Sequence, residues 1–415
     1  MAKTMSEKII GEHAGRSVSA GETVIATVDL CFTHDASGPL LISQLKELGL
    51  NVANPRNAVF FIDHAVPAPR RENANDQKLL RDYARKIGAN FSEAGNGICH
   101  QLIAEDYALP GQIILGTDSH TVTAGALGAF ATGMGATDMA VAMALGRTWL
   151  RVPETIMVNV SGELGKGVFS KDVALYLIGK LGSEGANYKS IEFCGETVER
   201  MEIGQRMTLS NMVVEAGAKA GLVPSDIETK LFLEREGRTG FRQISSDKGA
   251  EFEDIIDVEA EELRPMVALP DSVDNVKPVD EVGDVAIDTV FVGSCTNGRI
   301  EDLRIVAKIL SGRKLERGTR LVVTPSSKRT LIEAIKDGTL QTLLSAGAAV
   351  TPPGCGVCFG ALGGVPADGE KILTSTNRNF KARTGNPEAH TYLASPAVCA
   401  ATAVKGVITD PGEFL

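Results

Sequence analysis

DTVFVGSCTNGRIEDLRIVAKILSG, residues 288–312, contains one strand, one tight turn and one helix in succession. Thr289 to Val292 form a β-branched and aromatic run too short for a helix, bounded by Gly293 and Ser294. Leu303, Val306, Ala307 and Leu310 then recur at helical spacing, and Gly312 is predicted to close that helix. A further apolar run, TRLVVTP at 319–325, follows as the next strand. Working outward, AVFFIDH (58–64), GQIILGTD (111–118), TIMVNVSG (155–162), KILTSTN (371–377) and ETVIATVDL (22–30) all read as buried strands. Leu79, Leu80, Tyr83, Ala84 and Ile87 mark another helix. Strand–turn–helix–strand order predicts an α/β fold of several lobes, its mostly parallel sheets flanked by helices. In such sheets ligands gather beyond the C-terminal ends of the strands.

A chain of 415 residues exceeds one simple core. We expect N-terminal α/β lobes over 1–285, in one or two subdomains, and a smaller C-terminal lobe over 286–415. The acidic, proline-bearing stretch 251–284 lacks a clean period and reads as the crossover between them. With 42 basic against 52 acidic residues the net charge is −10, which argues against a nucleic-acid or anionic-membrane partner. MAKTMSEKIIGEHAG has no apolar core of a signal peptide, and no apolar run approaches a membrane span. Seven scattered cysteines suit a reducing compartment, read as cytoplasm, better than a disulfide scaffold.

Unusual polar clusters fall at the expected strand exits. Asp63 and His64 follow AVFFI, Asp118 to His120 follow QIILGT, Cys295 follows DTVFVGS, and Asn377 with Arg378 follows KILTST. The coincidence predicts one composite site. Cys355 and Cys358, in PPGCGVCFG, sit in a glycine- and proline-rich loop rather than at a helix start, unlike a redox dithiol. Iron–sulfur, zinc, redox and inert readings of this pair all remain open from the residues alone. If Cys295 joins the pair, three thiolates would leave one corner of a cubane cluster free for chemistry. Cys31, Cys99, Cys194 and Cys399 have apolar neighbours and read as packing residues.

Three of the six histidines stand in IDHAVP, GNGICHQ and GTDSHT, beside acids or hydroxyls at glycine-rich strand ends. Carboxylate–imidazole pairing fixes the tautomer and raises basicity, as proton transfer requires. The small-residue run GALGAFATGMGATD (125–138) lacks the lysine and hydroxyl that end a phosphate loop, so it reads as close packing or as amides aimed at a substrate. Arg378 and Arg383, in NRNFKAR, offer planar forks that match carboxylates.

Together GTDSHTVTAGALGAFATGMGATD, VGSCTNGR, the Gly-Cys-Gly-x-Cys loop and TSTNRNF closely resemble the aconitase superfamily, in matching order through nearly the whole chain. The length is similar to that of the large subunits of its isopropylmalate, homoaconitate and dimethylmalate dehydratases. The resemblance implies one [4Fe–4S] cluster on Cys295, Cys355 and Cys358. It implies acid–imidazole pairs of Asp63 with His64, Asp118 with His100, and Glu215 with His120. His34, Ser37, Ser119, Asn211, Asn297, Asn377, Arg378 and Arg383 match positions near cluster or substrate. Val357 stands where proline is common, and Ala382 where glycine is usual.

The implied reaction dehydrates a hydroxy di- or tricarboxylate and rehydrates the neighbouring carbon, with His64 as the proton donor. The family takes its base from a serine on a swivelling domain, expected here on a separate small subunit. The partners expected are therefore that subunit and a small hydroxy-dicarboxylate. Rivals from other classes are a nonenzymatic iron sensor or RNA-binding regulator, opposed by the acidic charge, and a zinc-stabilised structural protein.

Overall fold

The computed structural model describes residues 2–415. Three α/β sheets and one two-stranded antiparallel ribbon organise the described residues. The first sheet has five parallel strands in the spatial order Asn90–Ser92, Ala58–Phe61, Leu30–His34, Ile113–Gly116 and Phe130–Gly133. The second has four parallel strands, Ala220–Leu222, Ser190–Cys194, Thr155–Ser161 and Asp254–Glu259. In the third, Lys371–Thr374, Thr289–Gly293, Arg320–Thr324 and Ala349–Val350 run parallel beside His390–Ala394. Met266–Ala268 and Val276–Pro278 extend that sheet antiparallel at one edge. The stretch 251–284 thus supplies its first strand to the second sheet and its next two to the third.

The opening unit folds as its pattern dictates. Thr289–Gly293 is buried at every position, as a central parallel strand must be. The helix Ile300–Leu310 turns Ile300, Leu303, Val306, Ala307, Ile309 and Leu310 into the core of the third lobe. Each larger side chain on that face contributes about 1.5–3 kcal/mol by leaving water. The helix closes at Ser311, with Gly312 next in a left-handed conformation, so the stop comes one residue before the expected glycine.

One expected strand is corrected. ETVIATVDL divides at Val28–Asp29 into Thr23–Thr27 and Leu30–His34. Only the second piece is a buried sheet strand. The first alternates exposed and buried residues and pairs antiparallel with Arg147–Arg151, setting Ile25 opposite Trp149 on an outward face. Thr23 and Thr27 share the outward face of that half-exposed ribbon with Ile25, whose apolar side chain masked the alternation.

Specific contacts turn the first and third lobes toward each other. Gly97 and Ser327 form an isolated bridge, Ile98 N–H donates to Ser326 O at 2.9 Å, and Lys328 N–H donates to Asn96 O at 2.8 Å. The helix Ile203–Met212 belongs to the second lobe and is wedged between them, with Arg206, Thr208, Ser210 and Asn211 all buried. Fully buried Arg206 anchors it through both terminal nitrogens to Asp226, at 2.9 and 2.7 Å, and through Met201 O at 3.0 Å.

Candidate active site

The strand exits of the first and third sheets converge, and the polar clusters predicted there meet in one chamber. Its floor holds the three cysteines. Cys295 lies on the short helix Ser294–Asn297, while Cys355 caps the start of the one-turn helix Gly356–Phe359 and Cys358 lies within it. All three are buried in a common core. Asn377 spans two of them, its Nδ2 3.5 Å from Cys295 Sγ and its Oδ1 3.4 Å from Cys358 Sγ. Asn211 Nδ2 donates to Cys295 Sγ at 3.3 Å, and Arg383 donates to Cys358 Sγ at 3.3 Å. The loop is pinned to the first lobe where Cys355 N–H donates to Asp63 O at 3.0 Å.

These neighbours make the floor suitable for a metal–sulfur group. Burial pushes the Cys295 thiol up to about 11, which disfavours a bare thiolate there. The Cys355 thiol and the Arg383 guanidinium instead hold Cys358 well below its usual range. Buried Arg383 Nε, Asn297 Oδ1 and His100 Nδ1 have no protein partner, so polar capacity is left over around the chamber. Donors aimed at sulfur stabilise a thiolate cluster and tune its electronics.

The walls carry imidazoles around three carboxylates. His64 Nδ1 meets Asp63 Oδ1 at 2.8 Å, His100 Nε2 meets Asp118 Oδ1 at 3.0 Å, and His120 Nε2 meets Glu215 Oε1 at 2.8 Å. These are the three pairs that the motifs imply. Asp118 is more central than one pair suggests, because His120 Nδ1 also approaches it at 3.3 Å, His64 Nε2 at 3.8 Å and His34 Nε2 at 3.9 Å. Burial works against a charged His64, yet Asp63, Asp118 and Asp35 outweigh it and raise its pKa to about 9. His34 stacks on His64 with ring centroids 3.9 Å apart. Burial and the His64 charge lower its pKa to about 3, so the pair carries one proton charge rather than two. The Ala36 N–H donates to His34 Nδ1 at 3.3 Å, which leaves Nε2 to donate to Ser37 Oγ at 3.1 Å.

His120 lies between two acids; burial and Arg378 oppose its charge, but Asp118 and Glu215 raise its pKa. Arg378 Nε reaches both Glu215 oxygens, at 2.9 and 3.0 Å, and its terminal nitrogen donates to Ser119 Oγ at 2.9 Å. Asn297 stands behind the cysteine floor, donating to Thr208 Oγ1 at 3.3 Å and Asp302 Oδ1 at 3.0 Å. Hydrogen bonds and ion pairs thus join the expected site residues into one cluster, with Asn297 alone turned to Thr208 and Asp302 behind it. The glycine run packs as read. A Cβ on Gly133 would come within 2.5 Å of Asp118 O, and one on Gly125 within 1.9 Å of Gly221 O.

Several residues had no sequence signal. Asp35 accepts the N–H groups of Asp63, His64 and Ala65 at 3.3, 2.9 and 3.0 Å and so fixes the turn that presents His64. Cys99, read as packing, also donates its N–H to Asp63 Oδ2 at 2.6 Å. Arg299 is buried and grips Cys295 O at 2.5 Å and Thr296 O at 2.6 Å. Asp35 lies between the candidates His34 and Ser37, and Arg299 ends the quoted VGSCTNGR motif; that position was the available clue.

A profile of the aconitase family (aconitate hydratase) matches residues 7–406. The 3-isopropylmalate dehydratase large subunit of Elusimicrobium minutum is 52% identical, and large subunit 1 of that enzyme from Thermotoga maritima is 50% identical, each alignment covering all of both chains. A probable methanogen homoaconitase large subunit from Methanothermobacter thermautotrophicus is 44% identical across 99% of this chain and 97% of its own. The solved structure of Thermococcus kodakaraensis aconitase X (holo-form) shares the fold, with a TM-score of 0.52 over 86% of this chain and 84% of that one, at 16% identity. The chain belongs to the aconitase family of hydro-lyases.

Proposed function

We propose that this chain is the large subunit of a 3-isopropylmalate dehydratase, interconverting 2- and 3-isopropylmalate by loss and return of water in leucine biosynthesis. The observation that carries the reading is the floor of three buried cysteines from two loops, tied by Asn211, Asn377 and Arg383, beneath three carboxylate–imidazole pairs. Full-length identities of 52% and 50% to large subunits of that enzyme support the choice of substrate. Homoaconitate chemistry is the second reading, favoured by the 44% identity to a homoaconitase large subunit.

In this reading Cys295, Cys355 and Cys358 hold a [4Fe–4S] cluster, which, when bound, polarises the substrate hydroxyl as a Lewis acid. Asn211, Asn377 and Arg383 stabilise the thiolates. Arg378, held by Glu215 and Ser119, presents its outer fork to a substrate carboxylate, and His34 with Ser37 lines the adjoining wall. His64, protonated at neutral pH, carries a proton at Nε2 toward the departing hydroxyl, while Asp63 holds Nδ1. His100 and His120 fix Asp118 as an anion beside it. Proton abstraction from carbon falls to a small partner subunit, in keeping with the relatives' name "large subunit". No described helix is long and apolar enough to cross a membrane, and seven unpaired cysteines support a cytoplasmic, reducing setting.

The test is anaerobic co-purification with the small protein that binds this chain, then assay with isopropylmalate, homocitrate and dimethylmalate in turn. The reading predicts turnover of isopropylmalate by the complex and none by the isolated, cluster-loaded chain. Turnover by the isolated chain, or a complex that prefers homocitrate, would overturn the corresponding part of it.

A further inference from the structure

Lys171 has no place in the chemistry described above, yet it is one of the most deeply buried cations of the chain. It lies in the first turn of the helix Ser170–Leu181, with no solvent exposure. Its Nζ donates to Thr376 O at 2.5 Å and Ser375 O at 3.3 Å, and approaches Met212 Sδ to 3.4 Å. The adjacent Asp172 is committed elsewhere, accepting the N–H groups of Phe169 and Met266 at 2.8 Å each. Burial pulls the lysine pKa down to about 8. A desolvated ammonium whose bonded acceptors are two carbonyls and a thioether costs more than an apolar side chain of equal length. Packing alone does not account for it.

Its contacts do. Ser375 and Thr376 lead directly into Asn377 and Arg378, at the exit of Lys371–Thr374 in the third sheet. Met212 follows Asn211 and precedes the turn that carries Glu215 in the second lobe. One ammonium therefore joins two site-bearing segments from different lobes, the exit of a strand and the end of a helix. Both carbonyls point at it, so their peptide planes are fixed, and with them the direction in which the chain leaves toward Asn377.

We propose that Lys171 is a positioning residue of this site: its ammonium locks the Ser375–Thr376 backbone so that Asn377 reaches the cysteine sulfurs and Arg378 reaches Glu215 and Ser119. The kinetic consequence rests on the dehydratase reading; the structural one does not. A positioning role acts through geometry, where misplacement by about 1 Å can cost 10²-fold in rate.

The experiment compares wild type with Lys171→Met, which keeps length and removes every donor. Lys171→Gln serves as the second variant should the first not fold. In cluster-free protein, amide exchange across 375–379 is expected to quicken about tenfold while the helix Ile300–Leu310 keeps its wild-type protection. In the cluster-loaded complex, kcat/KM for 3-isopropylmalate is expected to fall about 10²-fold, chiefly through KM, with the melting temperature unchanged or raised because a buried charge is gone. Wild-type exchange at 375–379, or wild-type KM, overturns the proposal. So does a drop in melting temperature with exchange quickened evenly along the chain, the mark of a purely structural residue. A wild-type complex without dehydratase activity would sink the dehydratase reading and leave the exchange test standing.

Discussion

At the scale of single residues, the proposed proton chemistry turns on His64. Its Nδ1 is held by Asp63 and its pKa is raised to about 9. General acid catalysis predicts that His64→Gln lowers turnover by about 10²–10⁴-fold with the cluster content unchanged, measured by steady-state rate and iron analysis. A rate within threefold of wild type would remove this residue from proton transfer. A folded pKa above the unfolded value of about 6.5 means that the charged form stabilises the fold below that value. This stabilisation is lost as pH rises through about 9. The kcat/KM profile should accordingly show an alkaline limb near pH 9; a limb at neutral pH would contradict the assignment. These acids and imidazoles were legible because Asp63 and His64 are neighbours, and Asp118 and His120 nearly so, at the ends of apolar runs. Lys171 and Asp35 were not. They act through backbone carbonyls and amides, and nothing in a side-chain pattern records which peptide group a side chain will meet.

At the scale of elements, what the sequence reveals depends on continuity of the apolar run. Ala58–Phe61, Ile113–Gly116 and Thr289–Gly293 are buried throughout and stand out as strands. Asn90–Ser92 and Ala220–Leu222 span three residues each and draw their stability from neighbours, so no local signal marks them. The helix Ile203–Met212 is hidden for another reason. Its polar side chains Arg206, Thr208, Ser210 and Asn211 are buried along with its apolar ones, so polarity marks no solvent face and gives no period to read. The cysteine and arginine loops are irregular, and one departure noted in the sequence acquires a physical meaning there. Ala382 holds φ at +65°, a left-handed conformation that penalises a Cβ. Ala382→Gly is expected to raise unfolding stability by about 1 kcal/mol, read from denaturant midpoints, with Arg383 left in place against Cys358. A loss of stability would show that neighbouring contacts, rather than backbone strain, govern this turn.

At the scale of the molecule, the site exists because three lobes meet. The first contributes the imidazoles and Asp118, the second Asn211 and Glu215, and the third the cysteines with Asn377, Arg378 and Arg383. No lobe holds more than part of this set. The Gly97–Ser327 bridge and the fit of Cys355 N–H onto Asp63 O set their separation. Long-range convergence of this kind was inferred from clusters at strand exits, whereas the wedge formed by the second lobe was not, since its contacts join residues some 85 to 165 positions apart, as Asn211 does with Cys295, Thr123 and Asn377. The most direct test of the account is Mössbauer spectroscopy of the anaerobically reconstituted complex, with and without 3-isopropylmalate. Four irons per large subunit, one of which alone changes its signal when the substrate is added, is the predicted result. Four irons that all ignore the substrate, or an undiminished cluster in Cys355→Ala protein, would contradict it.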